Sequence, residues 1–138
     1  MRRLNIYFIH STKFDYTNLL YKRLLSSSVC LSHNLILPMT KEYQTMYTKD
    51  LMNKADIIIV ELSNPSFGLG LELKYLTKFN KPKLFISLNN KYPNKYKKLV
   101  TNYKSTNESN YISTIEEFIN EYANIDKPKD NTITLGEL

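Results

Sequence analysis

An eight-residue run in the middle of the chain most constrains the fold. Residues 55–62 read Ala-Asp-Ile-Ile-Ile-Val-Glu-Leu, and the β-branched residues follow one another without alternating with polar ones. Such a pattern is typical of a strand buried on both faces, as in a parallel sheet that is covered by helices on either side. The run therefore predicts a central strand of an α/β fold.

The rest of the chain alternates between short apolar runs and segments with helical periodicity. Apolar runs at residues 4–9, 29–37 and 83–88 predict three more strands, and Tyr111-Ile112 indicates the end of a brief fifth strand. Helices are predicted in five segments: 14–25, 41–54, 68–79, 96–100 and 113–122. This alternation favours right-handed crossovers. We therefore predict a three-layer α/β sandwich with a five-stranded parallel sheet. The strand order that we expect, 2-1-3-4-5, is a common one among doubly wound sheets.

The composition fits a single globular domain. The chain has 138 residues, of which 42% are hydrophobic and 23% are charged. We assign residues 1–124 to the domain and residues 125–138 to a polar C-terminal tail. No apolar run is long enough to span a membrane, and a strand explains residues 4–9 better than a signal peptide does. We expect a cytoplasmic protein with no membrane partner.

The net charge of +6 favours anionic ligands, but a chain rich in Lys, Asn, Ile and Tyr also acquires it through composition alone. We favour composition, because the lysines are spread along the chain. The one dense patch, residues 91–98, interleaves tyrosines with lysines as a single-strand-binding surface would, yet a solvated loop and helix explain it better. We expect no specific nucleic-acid partner.

The sequence predicts neither a metal nor a cofactor. Cys30 is the only cysteine, so no internal disulfide is possible, and its apolar neighbours indicate a buried structural thiol. Neither histidine has a metal-ligating partner at a suitable spacing. His33 lies inside a predicted strand and is interpreted as structural. His10 ends the first strand, where it either lines a ligand pocket or is structural.

Ligands of open parallel sheets bind beyond the carboxyl ends of the strands, here after Ile9, Leu37 and Leu62. The strongest signal follows Leu62, in residues 64–73, which read Asn-Pro-Ser-Phe-Gly-Leu-Gly-Leu-Glu-Leu. This segment holds two of the chain's three glycines, at the start of a predicted helix. Glycines there let a ligand approach the backbone, whose free N–H groups favour an anion.

Two side chains of this segment suggest chemistry. Ser66 adds a hydroxyl beside the glycines. Glu72 falls near the first turn of the helix, where the positive end of the helix dipole would keep it ionised and able to attack an anomeric carbon. On spacing alone, a strand–helix turn with an exposed capping glutamate explains the segment equally well.

The same residues resemble a known family. Residues 55–61 followed by residues 64–73 resemble the nucleoside 2-deoxyribosyltransferase superfamily, which includes the 2′-deoxynucleoside 5′-phosphate N-hydrolases. Residues 6–8 are similar to the family's opening strand. The Gly-x-Gly-x-Glu-Leu element after an Ala-Asp strand is the most specific part. The resemblance implies a flavodoxin-like fold and a homodimer with a nucleoside or nucleotide as its small-molecule substrate.

The resemblance also implies roles for three residues. Glu72 matches the glutamate that attacks C1′ to form a glycosyl-enzyme, which water hydrolyses or a second base intercepts. Tyr7 matches a tyrosine that positions this nucleophile. Ser66 matches the serine that contacts the 5′-phosphate in the N-hydrolases, where the transferases have an acidic residue, and so favours a nucleotide substrate.

The chain departs from the family at three places. Thr48 replaces the acidic residue that assists departure of the base, and Asp50, our candidate for that role, is about 200° further around a helix. The loop after the first strand lacks the glycines of the N-hydrolases. Lys97 occupies the place of a serine contributed by the partner subunit, where it either contacts a phosphate or is solvated. The substrate-binding residues that we predict are Ser66, Gly68, Gly70, His10, Ser11, Asn64 and Lys97.

We therefore expect an enzyme that cleaves or transfers the N-glycosidic bond of a deoxynucleoside or its 5′-monophosphate through Glu72, with Tyr7 and Asp50 assisting. Three alternatives stay open. They are a nucleoside 2-deoxyribosyltransferase proper, a ribonucleotide or NAD-type N-glycosidase, and a non-catalytic nucleotide-binding module, which the threonine at position 48 would favour. Nothing in the sequence identifies the base.

Overall fold

The protein folds around a four-stranded parallel sheet. The computed structural model describes the backbone of residues 2–132 and the side chains of residues 2–123. The strands are β1 (Asn5–Ile9), β2 (Asn34–Ile36), β3 (Ile57–Glu61) and β4 (Lys83–Ile86). Their order is β2-β1-β3-β4, and every neighbouring pair is parallel. This confirms the predicted α/β class, the parallel sheet and the order of its first four strands.

Helices connect these strands. A π-helical turn at Thr17–Tyr21 runs directly into the first α-helix. The α-helices are α1 (Lys22–Leu25), α2 (Ser28–Ser32), α3 (Thr48–Lys54), α4 (Phe67–Leu76) and α5 (Tyr111–Thr132), and a 3₁₀ turn occupies Asn94–Tyr96. Within the described part of the chain, no helix combines the length and the apolar character that crossing a bilayer requires.

The central strand is buried on both faces, as its sequence predicts. Ile57 and Ile59 belong to one apolar cluster and Ile58 and Val60 to another, and all four side chains are completely buried. Successive side chains of a strand point to opposite faces, so the two clusters lie on opposite faces of the sheet. Residues of α1, α2 and α5 join the first cluster, and residues of α3 and α4 join the second.

The predicted fifth strand is wrong. Tyr111 begins α5, because Tyr111, Ile115 and Ile119 are spaced four residues apart and together bury one face of a helix. The outer edge of β4 instead meets Tyr103 in a single parallel bridge. There the Phe85 N–H donates to the Asn102 carbonyl at 2.8 Å.

Two predicted elements are shorter than expected. The strand predicted over 29–37 is a strand only at β2, and α2 replaces its first half, because Val29 is buried whereas Leu31 is 81% exposed. The helix predicted over 41–54 is a series of turns until α3 begins at Thr48. At the other end of the chain, α5 extends through residues 125–132 of the predicted tail, and residues 133–138 lie outside the described residues.

Candidate functional site

A tyrosine and a glutamate meet above the centre of the sheet. The Tyr7 hydroxyl donates a hydrogen bond to Oε2 of Glu72 at 3.0 Å. Tyr7 is held by β1, where it pairs with Ile36 on one side and Ile58 on the other. Glu72 is positioned by α4, which packs against the same face through Leu69, Leu73 and Leu76. The structure thus brings together the predicted nucleophile and the tyrosine predicted to position it.

The environment of Glu72 differs from the one that we predicted. Ser66 is the N-cap of α4, so Glu72 lies in the second turn, and the first turn contains no acidic residue. Its carboxyl group is half-buried rather than exposed. Burial raises the pKa of Glu72 to about 7, and the hydrogen bond from Tyr7 opposes this rise. Burial therefore opposes the ionisation that we expected from the helix dipole.

Glu72 faces an open pocket of about 510 Å³. The other residues that line it are Thr48, Gly68, Leu71 and Tyr75. Thr48 is the first residue of α3, and its hydroxyl lies close enough to the Tyr7 hydroxyl to influence the Tyr7 pKa. The pocket therefore has a neutral side chain at position 48.

Asp50 does not join this pocket. It is exposed in the first turn of α3, two residues beyond Thr48. Two residues along a helix correspond to about 200° of rotation, so the two side chains leave the helix on different sides. The position of Asp50 therefore does not suit the role that we predicted for it.

A second tyrosine, Tyr21, falls within the helix predicted over 14–25 and lies close to Tyr7 and Glu72. The Tyr21 hydroxyl bonds Nε2 of His10 at 2.6 Å and accepts the Met39 N–H at 3.0 Å. Burial raises the pKa values of Tyr7 and Tyr21, and the Glu72 carboxyl contributes to both increases, so both hydroxyls keep their protons. The π-helical turn that ends at Tyr21 carries this hydroxyl to the carboxyl ends of β1 and β2.

His10 is buried and its two ring nitrogens both have partners. Because the Ser11 carbonyl can only accept, the neutral ring has its proton on Nδ1, which donates to that carbonyl at 2.8 Å, and Nε2 accepts the Tyr21 hydroxyl proton. Burial lowers the pKa of His10, which keeps the ring neutral. This arrangement favours the structural role for His10 over the pocket-lining one.

Three other predicted binding residues lie outside the Glu72 pocket. Ser11 is buried, and its hydroxyl accepts the Lys13 N–H at 2.9 Å. Asn64 donates to the Ser63 hydroxyl at 2.8 Å in the turn after β3. Lys97 is exposed just after the 3₁₀ turn. It lines neither the Glu72 pocket nor a second pocket that contains Ser66.

A neighbouring pocket of about 290 Å³ lies along an adjacent face of α4. It contains Ser66, whose hydroxyl caps α4 by accepting the Leu69 N–H at 3.1 Å. Leu71 lines both pockets and lies between them. The full lining is Ser66, Phe67, Gly70, Leu71, Lys74, Lys95, Tyr96 and Leu99. Of these, the two lysines and Tyr96 were not predicted, because their grouping depends on how the 3₁₀ turn packs against α4.

The two glycines of α4 have different surroundings. A Cβ atom at Gly68 would meet nothing within 4 Å, and one at Gly70 would lie 3.9 Å from the Tyr96 ring. Neither glycine has a positive φ. The fold itself therefore does not require glycine at either position. At Gly68 the absence of a side chain leaves the backbone accessible on the wall of the Glu72 pocket.

Glu61, at the end of β3, is a buried carboxyl that sequence reasoning did not single out. It is 1% exposed, and its Oε2 accepts the N–H groups of Ser63 at 3.0 Å and Leu88 at 2.8 Å. Its Oε1 has no hydrogen-bond partner among the described residues. Burial raises the pKa of Glu61. The two bonds tie the loops after β3 and β4 together; the signal in the sequence is an acidic residue at the end of an apolar run.

In residues 2–123, whose side chains are described, no three His, Cys, Asp or Glu side chains come together in a group that could hold a metal ion. Comparison of the sequence with models of known protein families and with curated proteins gives no match.

Proposed function

We propose that this protein cleaves, or transfers, the N-glycosidic bond of a nucleoside or its 5′-monophosphate, with Glu72 as the nucleophile. The observation that carries the proposal is the hydrogen bond from Tyr7 to Glu72, a residue that lines an open pocket. Its place above the parallel sheet is where α/β proteins bind ligands. The residues also resemble those of the nucleoside 2-deoxyribosyltransferase superfamily, which is why we propose a deoxyribosyl substrate and a flavodoxin-like fold.

Glu72 and Tyr7 have different roles in such a reaction, one as the nucleophile and the other as the group that orients it. The carboxylate of Glu72 attacks C1′ and the bond to the base breaks, leaving a glycosyl ester on Glu72. Water then attacks C1′ and releases the sugar, or a second base takes its place. Tyr7 holds one carboxyl oxygen through its hydroxyl, so the other oxygen stays directed toward the substrate. Gly68 leaves room for the sugar beside it.

The neighbouring pocket suits a 5′-phosphate. Lys74 and Lys95 bring two positive charges to a pocket that contains Ser66 and lies next to the Glu72 pocket across Leu71. An anion is favoured there by charge. In this proposal the sugar spans Leu71, with C1′ near Glu72 and the phosphate near the lysines. The homodimer and the cytoplasmic location expected from the sequence are part of the same proposal.

The deciding experiment compares the wild-type protein with Glu72→Gln. We expect wild type to release free base from a panel of deoxy- and ribonucleosides and their 5′-monophosphates, detected by chromatography with and without a second base. Glu72→Gln should lose this activity by several orders of magnitude, because an amide is a poor nucleophile. Glu121→Gln, which changes an exposed glutamate on α5, is the matched control and should remain active.

A second outcome supports the non-catalytic alternative. If no substrate of the panel is cleaved, but nucleotides still raise the melting temperature of wild type, the pocket binds nucleotides without reacting with them. The neutral Thr48 in the pocket is the observation that favours this alternative. If Glu72→Gln and wild type release base equally fast, Glu72 is not the nucleophile.

A further inference from the structure

The Glu72 pocket lacks a second carboxyl group. Of its five lining residues, Thr48, Gly68 and Leu71 have no acidic side chain, and Tyr75 brings a phenol. Phenols are far weaker acids than carboxyl groups. Asp50, which was the sequence's candidate, is exposed and does not line this pocket. Among the described residues of the pocket, Glu72 is therefore the one carboxyl, and the proposed mechanism already uses it as the nucleophile.

This absence matters for the leaving group. A neutral nucleobase departs with the electron pair of the broken bond, so it leaves as an anion unless an acid protonates it. A positioned general acid is commonly worth about 10²–10⁴-fold in rate. A base that already carries a positive charge needs no such help, because the electron pair cancels its charge and it leaves as a neutral molecule.

We propose that the Glu72 pocket acts on nucleosides or nucleotides whose base is cationic, such as a pyridinium or an N7-alkylated purine. This inference rests on the proposed function and specifies its substrate. The class follows from the single carboxyl of the pocket, the neutral Thr48 beside it and the apolar wall of Leu71. Lys78, whose ammonium lies 5.3 Å from the centre of the Tyr75 ring, is exposed and does not line the pocket.

The charge of Glu72 favours the same class. A cation near a half-buried carboxyl stabilises its ionised form, so a cationic base converts Glu72 into the nucleophile as it binds. A neutral base gives no such stabilisation and leaves the carboxyl as it is in the free protein. The substrate thus supplies two things that the pocket does not, an ionised nucleophile and a good leaving group.

The reaction balances without a proton donor. An oxygen of Glu72 bonds to C1′ while the bond from C1′ to the ring nitrogen breaks, and its electron pair neutralises the base. Water then attacks C1′, the ester bond to Glu72 breaks, and the carboxylate returns. The water proton passes to solvent. The products are the free sugar or sugar phosphate, the neutral base and one proton.

The first test uses substrate pairs that differ in charge and by one methyl group. These are 7-methylguanosine with guanosine, and the corresponding 2′-deoxy compounds, each as nucleoside and as 5′-monophosphate. Base release is measured by chromatography, and the rate without protein is subtracted. We expect kcat/KM to be greater for the methylated member by about 10²-fold or more. This is the rate factor that the unmethylated member loses when no general acid protonates its base. Equal kcat/KM values within the pairs would overturn the inference.

The second test supplies the missing acid. Thr48→Asp places a carboxyl beside Glu72, and two carboxyls that share a site raise the pKa of one of them, which makes it an acid. Because Thr48 is the first residue of α3, an aspartate there also suits the helix N-terminus. Thr48→Asn has the same shape without the acid. Circular dichroism spectra verify that both variants fold.

The readout is the ratio of kcat/KM between the methylated and unmethylated substrates of one pair. We expect this ratio to fall about tenfold or more in Thr48→Asp and to stay near the wild-type value in Thr48→Asn. A ratio that falls in neither variant, or equally in both, would overturn the explanation. If unmethylated substrates react as fast as methylated ones, the inference fails while the proposed function stands, and if neither kind reacts, the proposed function fails as well.

Discussion

At the scale of single residues, the site depends on the balance between burial and hydrogen bonding at Glu72. Burial raises the pKa of its carboxyl to about 7, and the Tyr7 hydroxyl limits the rise. The nucleophile is the ionised form, so we expect kcat/KM of wild type to rise with pH through about 7 and to level off above it. Tyr7 therefore affects both the orientation and the ionisation of Glu72.

Tyr7→Phe separates these effects. The variant loses the hydrogen bond at 3.0 Å but keeps the buried ring that packs in the apolar cluster with residues of α3 and α4. Because that bond lowers the pKa of Glu72, we expect the midpoint of the pH–rate profile to move to higher pH. The measurement is kcat/KM against pH for both proteins. An unchanged midpoint would show that Tyr7 does not influence the ionisation of Glu72.

At the scale of elements, α3 and α4 hold the two sides of the Glu72 pocket. α4 begins where Ser66 accepts the Leu69 N–H, and α3 ends where the Lys81 ammonium donates to three backbone carbonyls. Each contact satisfies backbone groups that a helix terminus leaves unpaired. The two ends are therefore points at which single substitutions loosen the pocket without touching it.

Ser66 has two possible roles, in capping and in phosphate binding, which three variants distinguish. Ser66→Ala loses the cap and should destabilise the protein by about 1 kcal/mol in urea unfolding. Ser66→Asn and Ser66→Asp both keep a capping oxygen, but only Asp adds a negative charge. If Ser66 contacts the phosphate, Asp should raise KM for monophosphates far more than for free nucleosides, and Asn should do so much less. Equal effects on both substrates would remove the phosphate role.

Lys81 caps α3 from the loop before β4. Its Nζ donates to the carbonyls of Met52 at 2.7 Å, Asn53 at 2.8 Å and Ala55 at 2.7 Å. We expect Lys81→Met to lower the free energy of unfolding by about 1–2 kcal/mol, since three charge-assisted bonds at a partly buried site are lost. Lys98→Met, at an exposed position, is the control. Equal stability of the two variants would show that the cap contributes nothing.

At the scale of the whole molecule, the buried histidines and the buried glutamates have opposite effects on how stability changes with pH. Burial lowers the pKa values of His10 and His33 below 6.5, so the unfolded chain takes up protons first as the pH falls through that value, and stability declines. Burial raises the pKa values of Glu61 and Glu72 above 4.5, so here the folded protein takes up protons first, and stability increases. The two effects partly cancel in acid.

The variant His33→Asn removes one of the histidine contributions and so tests it. Nδ1 of His33 accepts the Leu4 N–H at 3.1 Å, and protonation of the ring would remove this acceptor next to Arg3. Asparagine keeps an oxygen in that region and takes up no proton. We expect the variant to gain stability relative to wild type when the pH falls from about 7 to about 5, as measured by urea unfolding at both values. A constant difference between the two proteins would exclude His33 as a source of acid instability.

Some local features were predictable because they depend on residues that are neighbours in sequence. The β-branched run of residues 57–60 predicted a strand buried on both faces, and the apolar periodicity after Ser66 predicted a helix over 68–79, which the structure has at Phe67–Leu76. The prediction of a fifth strand was wrong because it rested on two residues only. Tyr111 and Ile112 fit a strand by themselves, but Tyr111, Ile115 and Ile119 together form the buried face of a helix. Short apolar runs do not distinguish these two possibilities.

Sequence reasoning alone correctly predicted the α/β class and the order of the four strands, since the alternation of apolar runs and helical segments can be seen along the chain. Glu72 and Tyr7 were selected by resemblance to a known family, and the structure places them within hydrogen-bonding distance. Three features became visible only in the folded protein: the burial that raises the pKa of Glu72, the presence of Thr48 rather than Asp50 in its pocket, and the hydrogen bond between Tyr21 and His10. Desolvation and hydrogen bonding depend on residues that are far apart in the chain, so these properties appear only once the sheet and its helices have packed.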